Sequence, residues 1–174
     1  MIDFRRVEPA DLPQLREIAS TAFKHHRYWL DKKLNQHSVR QYYIRDLENL
    51  VNASIQPSQK NDFIVAAEGE KIVGYIALRI DDLLMSTFGF KWGVISSFAL
   101  REEYRQKGLG SAILKKALEW FECKGVSRVD VWTDAENISA IQCYEKAGFR
   151  TIYSGITLTL DLYRGHPSKR GQDV

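Results

Sequence analysis

The most constraining feature of the chain lies between Gly93 and Thr133. A β-rich run, Gly93-Val94-Ile95-Ser96-Ser97-Phe98-Ala99-Leu100, leads to the turn Tyr104-Arg105-Gln106-Lys107-Gly108-Leu109-Gly110-Ser111. A helical pattern follows, with Leu109, Ile113, Leu114, Ala117, Leu118 and Phe121 on one face. Gly125 ends it, and Val126 to Thr133 is a second β-rich run. A strand, helix and strand of this length suit a right-handed crossover between parallel strands. The turn is anionophilic as well, because the first N–H groups of a helix have no intrahelical partner and carry the positive end of its dipole.

The remaining pattern places this unit in a single α/β domain. Ile2 to Val7 alternates like a half-buried strand, and the following helix carries Leu12, Leu15, Ile18, Ala19 and Ala22. A second helix is expected through Val39, Tyr43, Leu47 and Leu50, ending before the polar loop Ser54 to Asn61. Phe63 to Ala67 and Ile72 to Leu78, joined by Glu68-Gly69-Glu70-Lys71, predict an antiparallel hairpin. Asp81 to Trp92 reads as irregular. Asn137 is placed to cap a helix running to about Ala147, and Arg150 to Leu162 is expected to supply one or two final strands. The sum is a mixed, mostly antiparallel sheet with helices on both faces. The domain is expected over residues 1–163, with residues 164–174, rich in charge, Gly and Pro, as a mobile tail.

Several classes of function are disfavoured. A net charge of +3 without a concentrated basic stripe argues against a nucleic-acid partner. No apolar run is long enough to span a bilayer and no signal-peptide core opens the chain, so the expectation is a cytoplasmic protein with no membrane partner. Cys123 and Cys143 lack CxxC spacing and read as reduced packing residues, and the four histidines make no zinc spacing, so no metal is expected.

Gly108 and Gly110 permit close backbone approach, and the N–H groups from Gln106 to Ser111 are suited to converge on phosphate oxygens, with Arg105 and Lys107 adding charge. The same turn would also suit a closely packed helix entry. A P-loop is excluded because no Gly-Lys-Ser/Thr follows. The dinucleotide fingerprint comes nearer, with Asp130 at the expected distance, but Ile113 stands where its third glycine belongs. Arg105-Gln106-Lys107-Gly108-Leu109-Gly110 fits a third pattern, Arg/Gln-x-x-Gly-x-Gly/Ala. Downstream, Asn137-Ile138-Ser139-Ala140-Ile141-Gln142-Cys143-Tyr144-Glu145-Lys146-Ala147-Gly148-Phe149 matches Asn-x-x-Ala-x-x-x-Tyr-x-x-x-Gly-Phe.

With this pair of motifs the sequence resembles the GNAT superfamily of acetyl-CoA-dependent N-acetyltransferases. The resemblance implies a splayed central pair of parallel strands and acetyl-CoA as donor, with its pyrophosphate on the N–H groups of Gln106 to Ser111. It implies that the pantetheine arm runs along Phe98, Ala99 and Leu100 and meets Asn137, and that Tyr144 protonates the departing thiolate. Seven residues apart on a helix, Asn137 and Tyr144 share a face about 10 Å long, which suits an extended ligand. N-capping by Asn137 and core packing by Tyr144 are the plain structural alternatives.

Where several family members carry a glutamate, this chain has Ile95-Ser96-Ser97-Phe98, so the base is open among a water on Ser96 or Ser97, Asp81, Asp82 and Asp134. The acceptor region implied by the resemblance includes Arg27, Tyr28, Trp29 and Ser97. Its aromatic and cationic character suits an amino-sugar nucleotide, and its spacing is faintly similar to the dTDP-fucosamine acetyltransferase branch. A small-molecule or peptide amine is the general acceptor expectation. A non-catalytic acyl-CoA sensor is the rival, and a homodimer is suggested by the expected final strand.

Overall fold

The computed structural model describes residues 1–24, 26–55 and 60–160. Its elements are β1 (Ile2–Arg6), α1 (Leu12–Ala22), α2 (Arg27–Leu30), α3 (Gln36–Ile55), β2 (Asn61–Glu68), β3 (Lys71–Ile80), α4 (Asp82–Phe88), β4 (Trp92–Leu100), α5 (Leu109–Cys123), β5 (Arg128–Val131) and α6 (Ile138–Lys146). The strands form one sheet in the order β1-β2-β3-β4-β5. All pairs are antiparallel except β4 with β5, which is parallel as the crossover pattern requires.

Apolar residues segregate onto the two faces of the sheet. On one, Leu15, Ile18 and Ala19 of α1 and Leu47 and Val51 of α3 pack on Phe63, Val65, Tyr75, Ala77 and Ala99. On the other, Ile113, Leu114, Ala117 and Phe121 of α5 pack on Ile64, Ile76, Leu78 and Ile95, and Tyr144 of α6 joins them. Each such large side chain contributes roughly 1.5–3 kcal/mol by leaving water. The amphipathic face expected for α5 is therefore the face buried, with Leu118 at its margin. At the start of the chain, Asp11 is buried and receives both terminal nitrogens of Arg5 at 2.7 Å and the Glu8 N–H at 2.8 Å, which ties β1 to the entry of α1.

Three expectations are corrected. Residues 151–160 contain no regular structure, whereas Arg150 to Leu162 was expected as strand; residues 161–162 lie outside the described residues, as does the tail 164–174. The β-branched and apolar content of this segment suits a strand, but a strand is stabilised by cross-strand partners, and here Ile152, Tyr153, Ile156, Leu158 and Leu160 are all exposed. Asp81 to Trp92 is not wholly irregular, because the Asp81 carboxylate accepts the Leu84 N–H at 3.0 Å and starts α4, which Gly89 ends at φ +75°. Cys123 is exposed rather than packed, while Cys143 is half-buried.

Candidate active site

The parallel pairing of β4 with β5 runs from Trp92 and Arg128 to Ile95 and Val131 and stops there. β4 continues for five residues, paired only to β3. Among the described residues its other edge from Ser96 to Leu100 has no strand beside it, so backbone groups there, apart from the Leu100 carbonyl that Arg105 Nε takes, are open to an extended ligand as an additional strand. The cause of the divergence is local. Ala77 pairs with Ser97 and Leu78 with Ile95, so Ser96 is one residue too many and forms a bulge. The insertion shifts the alternation: Ile95 and Phe98, three apart, both pack on the α5 side, while Ser97 faces α3 and its Oγ lies 3.2 Å from the Tyr75 hydroxyl. Ser96 Oγ is buried with no hydrogen-bond partner among the described residues.

Beyond Leu100 the chain makes one short turn at Glu102–Tyr104 and enters the glycine segment. Two residues there are left-handed, Gln106 at φ +58° and Gly108 at φ +81°. The Arg105 N–H bonds the Glu102 carbonyl and the Ala112 N–H bonds the Gly108 carbonyl. Between them, none of the N–H groups from Gln106 to Ser111 has a hydrogen-bond partner among the described residues. Six consecutive unpaired donors at the start of α5, with left-handed residues bending the backbone around them, form a nest for an anion. The two glycines differ in role. Gly108 needs its positive φ and has open space around it, whereas a Cβ at Gly110 would stand 3.4 Å from Cys143 Sγ, so Gly110 allows α5 to approach α6. Arg105 Nε bonds the Leu100 carbonyl at 3.2 Å, anchoring the turn to β4, and Lys107 Nζ stands 6.0 Å from the Tyr104 ring.

A groove continues from this nest between α5 and α6, lined by Ser111, Lys115, Leu118, Lys146 and Ala147. Its two lysines extend the positive field of the turn. Sequence reasoning missed Lys115 and Lys146, because only the packing of α6 on α5 brings them together.

Asn137 caps α6, its Oδ1 accepting the Ala140 N–H at 3.4 Å and its Nδ2 donating to Thr133 Oγ1 at 3.1 Å. This holds the start of α6 to the segment just past β5. Tyr144 is 7 % exposed, packed by Phe98 and Phe149 at 6.3 and 5.6 Å between ring centroids, and its hydroxyl has no hydrogen-bond partner among the described residues. Burial, with a smaller effect of Cys143, pushes its pKa well above that of free tyrosine, so it carries its proton throughout the neutral range.

The expected acceptor residues lie on the opposite face of the sheet. Arg27, Tyr28 and Trp29 form α2, with the Arg27 guanidinium 4.7 Å from the Tyr28 ring centroid and its Nη1 3.3 Å from Thr157 Oγ1. Trp29 Nε1 is buried without a partner among the described residues. Beside them is a cluster in which His26, from the same aromatic and basic stretch, bonds the Tyr43 hydroxyl through Nδ1, with Tyr28 at 5.2 Å and Trp132, which sequence reasoning did not link to them, edge-on at 5.6 Å. Trp132 immediately follows the last paired residue of β5. Two of the suggested bases lie elsewhere: Asp81 caps α4 and pairs with Arg79, and Asp82 pairs with Lys60. Both lie beside the paired start of β4, where the Asp81 N–H bonds the Trp92 carbonyl. No group of three metal-ligating side chains occurs among the described residues, and no described helix is long and apolar enough to cross a membrane.

Comparison with known proteins agrees with this geometry. A model of the acetyltransferase (GNAT) family matches residues 14–149. N-alpha-acetyltransferase 30 of Xenopus laevis is 34% identical over 85 residues, which are 49% of this chain and 30% of that protein. The dTDP-fucosamine acetyltransferase of Escherichia coli O6:H1 is 26% identical over 141 residues, 81% of this chain and 55% of that one. The chain thus spans less than a third of the first relative and about half of the second. In structure, PaiA N-acetyltransferase of Thermoplasma acidophilum in complex with coenzyme A superposes with a TM-score of 0.67 at 24% identity, covering 86% of this chain and 90% of that one. Bulge, splayed parallel strands, unpaired nest and paired motifs together agree with the family match: the chain belongs to the GNAT acetyltransferase family.

Proposed function

We propose that the protein is an N-acetyltransferase that moves the acetyl group of acetyl-CoA to a primary amine of a small molecule or peptide. The observation that carries this reading is the run of six unpaired N–H groups from Gln106 to Ser111, set beside the open edge of β4. The nest suits a pyrophosphate, and Lys115 and Lys146 suit a further phosphate of the same donor. The β4 edge at Phe98, Ala99 and Leu100 suits the amide groups of the pantetheine arm, which brings the thioester to the gap beside Ser96. Asn137 keeps α6 against that gap. A backbone N–H of the open edge is suited to polarise the thioester carbonyl.

Attack by the neutral amine forms the new C–N bond and breaks the C–S bond; the expelled thiolate takes a proton from the Tyr144 hydroxyl, and the nitrogen, positively charged once bonded, releases a proton to solvent to leave the amide. Burial keeps this phenol protonated, so it has a proton to give; because a thiol is the stronger acid of the two, the transfer is uphill and is completed when the phenolate takes a proton back from solvent. An amino-sugar nucleotide is the specific acceptor we favour among small molecules. Its support is the dTDP-fucosamine acetyltransferase relative, which aligns with 81% of the chain, together with the cation and aromatic surface of Arg27 and Tyr28. The retained tyrosine disfavours a non-catalytic sensor.

Calorimetric titration with CoA and with NAD tests the donor site; CoA alone is expected to bind, and equal or absent heats would refute it. Release of free thiol from acetyl-CoA, screened over peptides, polyamines and amino-sugar nucleotides, then identifies the acceptor. No release with any amine, despite CoA binding, would favour the sensor.

A further inference from the structure

The acetyl-transfer reading leaves one proton unaccounted for. An aliphatic amine arrives as an ammonium ion, and its lone pair is free to attack only after that proton is lost. On β4 the residues flanking the gap are Ile95, Ser96, Ser97 and Phe98, with no carboxylate among them. Tyr144, committed to the leaving thiolate, stands on the α5 side of the sheet. A nucleophile approaching a thioester from the other side passes the α3 face, where the end of β5 meets α2 and α3. Titratable groups enclosed there among the described residues include Tyr43, which is buried, and His26, which is half-buried.

Its ring is held on three sides. Tyr43 of α3, itself 7 % exposed, shares a hydrogen bond with Nδ1; Trp132 stands edge-on 5.6 Å away; and Tyr28 of α2 tilts against it at 5.2 Å. Tyr43 is fixed in turn by stacking on Phe23 at 5.0 Å. Nε2 has no partner among the described residues. The charged and titratable groups facing the ring are Asp134 beyond β5, Arg27 and Tyr28 of α2, and Tyr43 of α3. Burial lowers the imidazole pKa; Asp134 works against that effect and Arg27 reinforces it. The shift favours the neutral ring, the state a proton acceptor needs.

We propose that His26 is the base of the reaction: Nε2 takes a proton from the ammonium form of the acceptor, and Tyr43 holds the ring in the tautomer that leaves Nε2 bare. In that step the ammonium N–H bond breaks and the Nε2–H bond forms. The freed lone pair attacks the thioester carbon, and the imidazolium later releases its proton to solvent. The proposed tautomer has Nδ1–H as donor and the Tyr43 hydroxyl oxygen as acceptor, which makes Tyr43 a positioning residue. This assignment rests on the acetyl-transfer reading and adds to it the side from which the amine is deprotonated.

Two measurements test it. Long-range 1H–15N spectra of the labelled protein with acetyl-CoA bound, with His26 assigned by its loss in His26→Gln, should show a neutral ring bearing the proton on Nδ1 at pH 7. Its protonation midpoint should lie below that of free histidine, and Tyr43→Phe should abolish the tautomer preference. A ring charged at pH 7, or carrying its proton on Nε2, overturns the proposal. Thiol release is then followed with ethylamine, mostly ammonium at pH 7, and with hydroxylamine, mostly neutral there. His26→Gln should slow the ethylamine reaction at least tenfold and the hydroxylamine reaction less than twofold, with CoA affinity unchanged. Equal slowing of both amines, or of neither, overturns the proposal. Absence of acetyl-CoA binding to the unmodified protein would instead refute the acetyl-transfer reading on which it rests.

Discussion

Replacing Gly108 by alanine tests the nest by a change of one methyl group. No atom lies within 4 Å of a Cβ built there, so the substitution creates no clash. Its whole cost is conformational, because φ is +81° and an L-residue in the left-handed region is disfavoured by roughly 1–2 kcal/mol. If the bound loop keeps this geometry, that cost must emerge somewhere. A free loop that stays left-handed transfers it to folding stability, whereas a free loop that relaxes transfers it to ligand affinity, where roughly 1–2 kcal/mol is about a 5- to 30-fold weaker dissociation constant. The losses in unfolding free energy and in CoA binding free energy should therefore sum to roughly 1–2 kcal/mol, however they divide. Urea denaturation of the free protein and calorimetric titration with CoA measure the two parts. Gly89→Ala is the control, since Gly89 has φ +75°, equally open surroundings and a place at the end of α4. It should lose stability alone. A sum near zero at Gly108, or an equal loss of CoA affinity at Gly89, would refute the reasoning.

Other expectations concern the acid, the core and the amino-terminal ion pair. Tyr144→Phe should lower turnover tenfold or more with acetyl-CoA affinity nearly unchanged in pre-steady-state and equilibrium measurements, and near-normal turnover would remove the acid role. Ile113→Ala, at a fully buried position of α5, should cost about 2–5 kcal/mol in chemical denaturation, while Leu83→Ala on the exposed face of α4 should change stability by less than about 0.5 kcal/mol. Asp11→Asn should destabilise by about 1–3 kcal/mol, through loss of the bonds from Arg5 and the Glu8 N–H. Burial of Asp11 opposes ionisation, but those bonds and the Arg5 charge outweigh it and hold the carboxyl below its usual range. Its stabilisation is thus complete above the unfolded carboxyl value of about 4 and is lost as pH falls through the lower folded value. The asparagine variant should lack that component of the acid-induced loss of stability.

Legibility in the sequence followed the range of the interaction. The hairpin of β2 and β3, the amphipathic face of α5, the glycine turn and the Asn137 cap depend on residues within a few positions of one another, and each was readable from spacing. The α4 cap was equally local, with Asp81 three residues before Leu84, but it lay in a stretch whose apolar pattern was too short to suggest a helix. The segment after Arg150 shows the converse. Ile156, Leu158 and Leu160 alternate as a strand does, yet strand formation depends on a partner edge, and alternation alone does not supply one.

By itself the sequence determined the α/β class and the parallel crossover, and it singled out the glycine turn as a candidate anion nest, because glycines, cations and the paired motifs act over short spans. Tertiary structure decided what those motifs meet. Only the register of β3 on β4 makes Ser96 the bulge that opens the edge. Only the packing of α6 on α5 joins Lys115 to Lys146. His26, Tyr43 and Trp132, distant from one another in the chain, become one cluster because α2, α3 and the end of β5 converge on the α3 face of the sheet. No local rule links such positions; loop closure brings them together only when the shared core beneath them is buried.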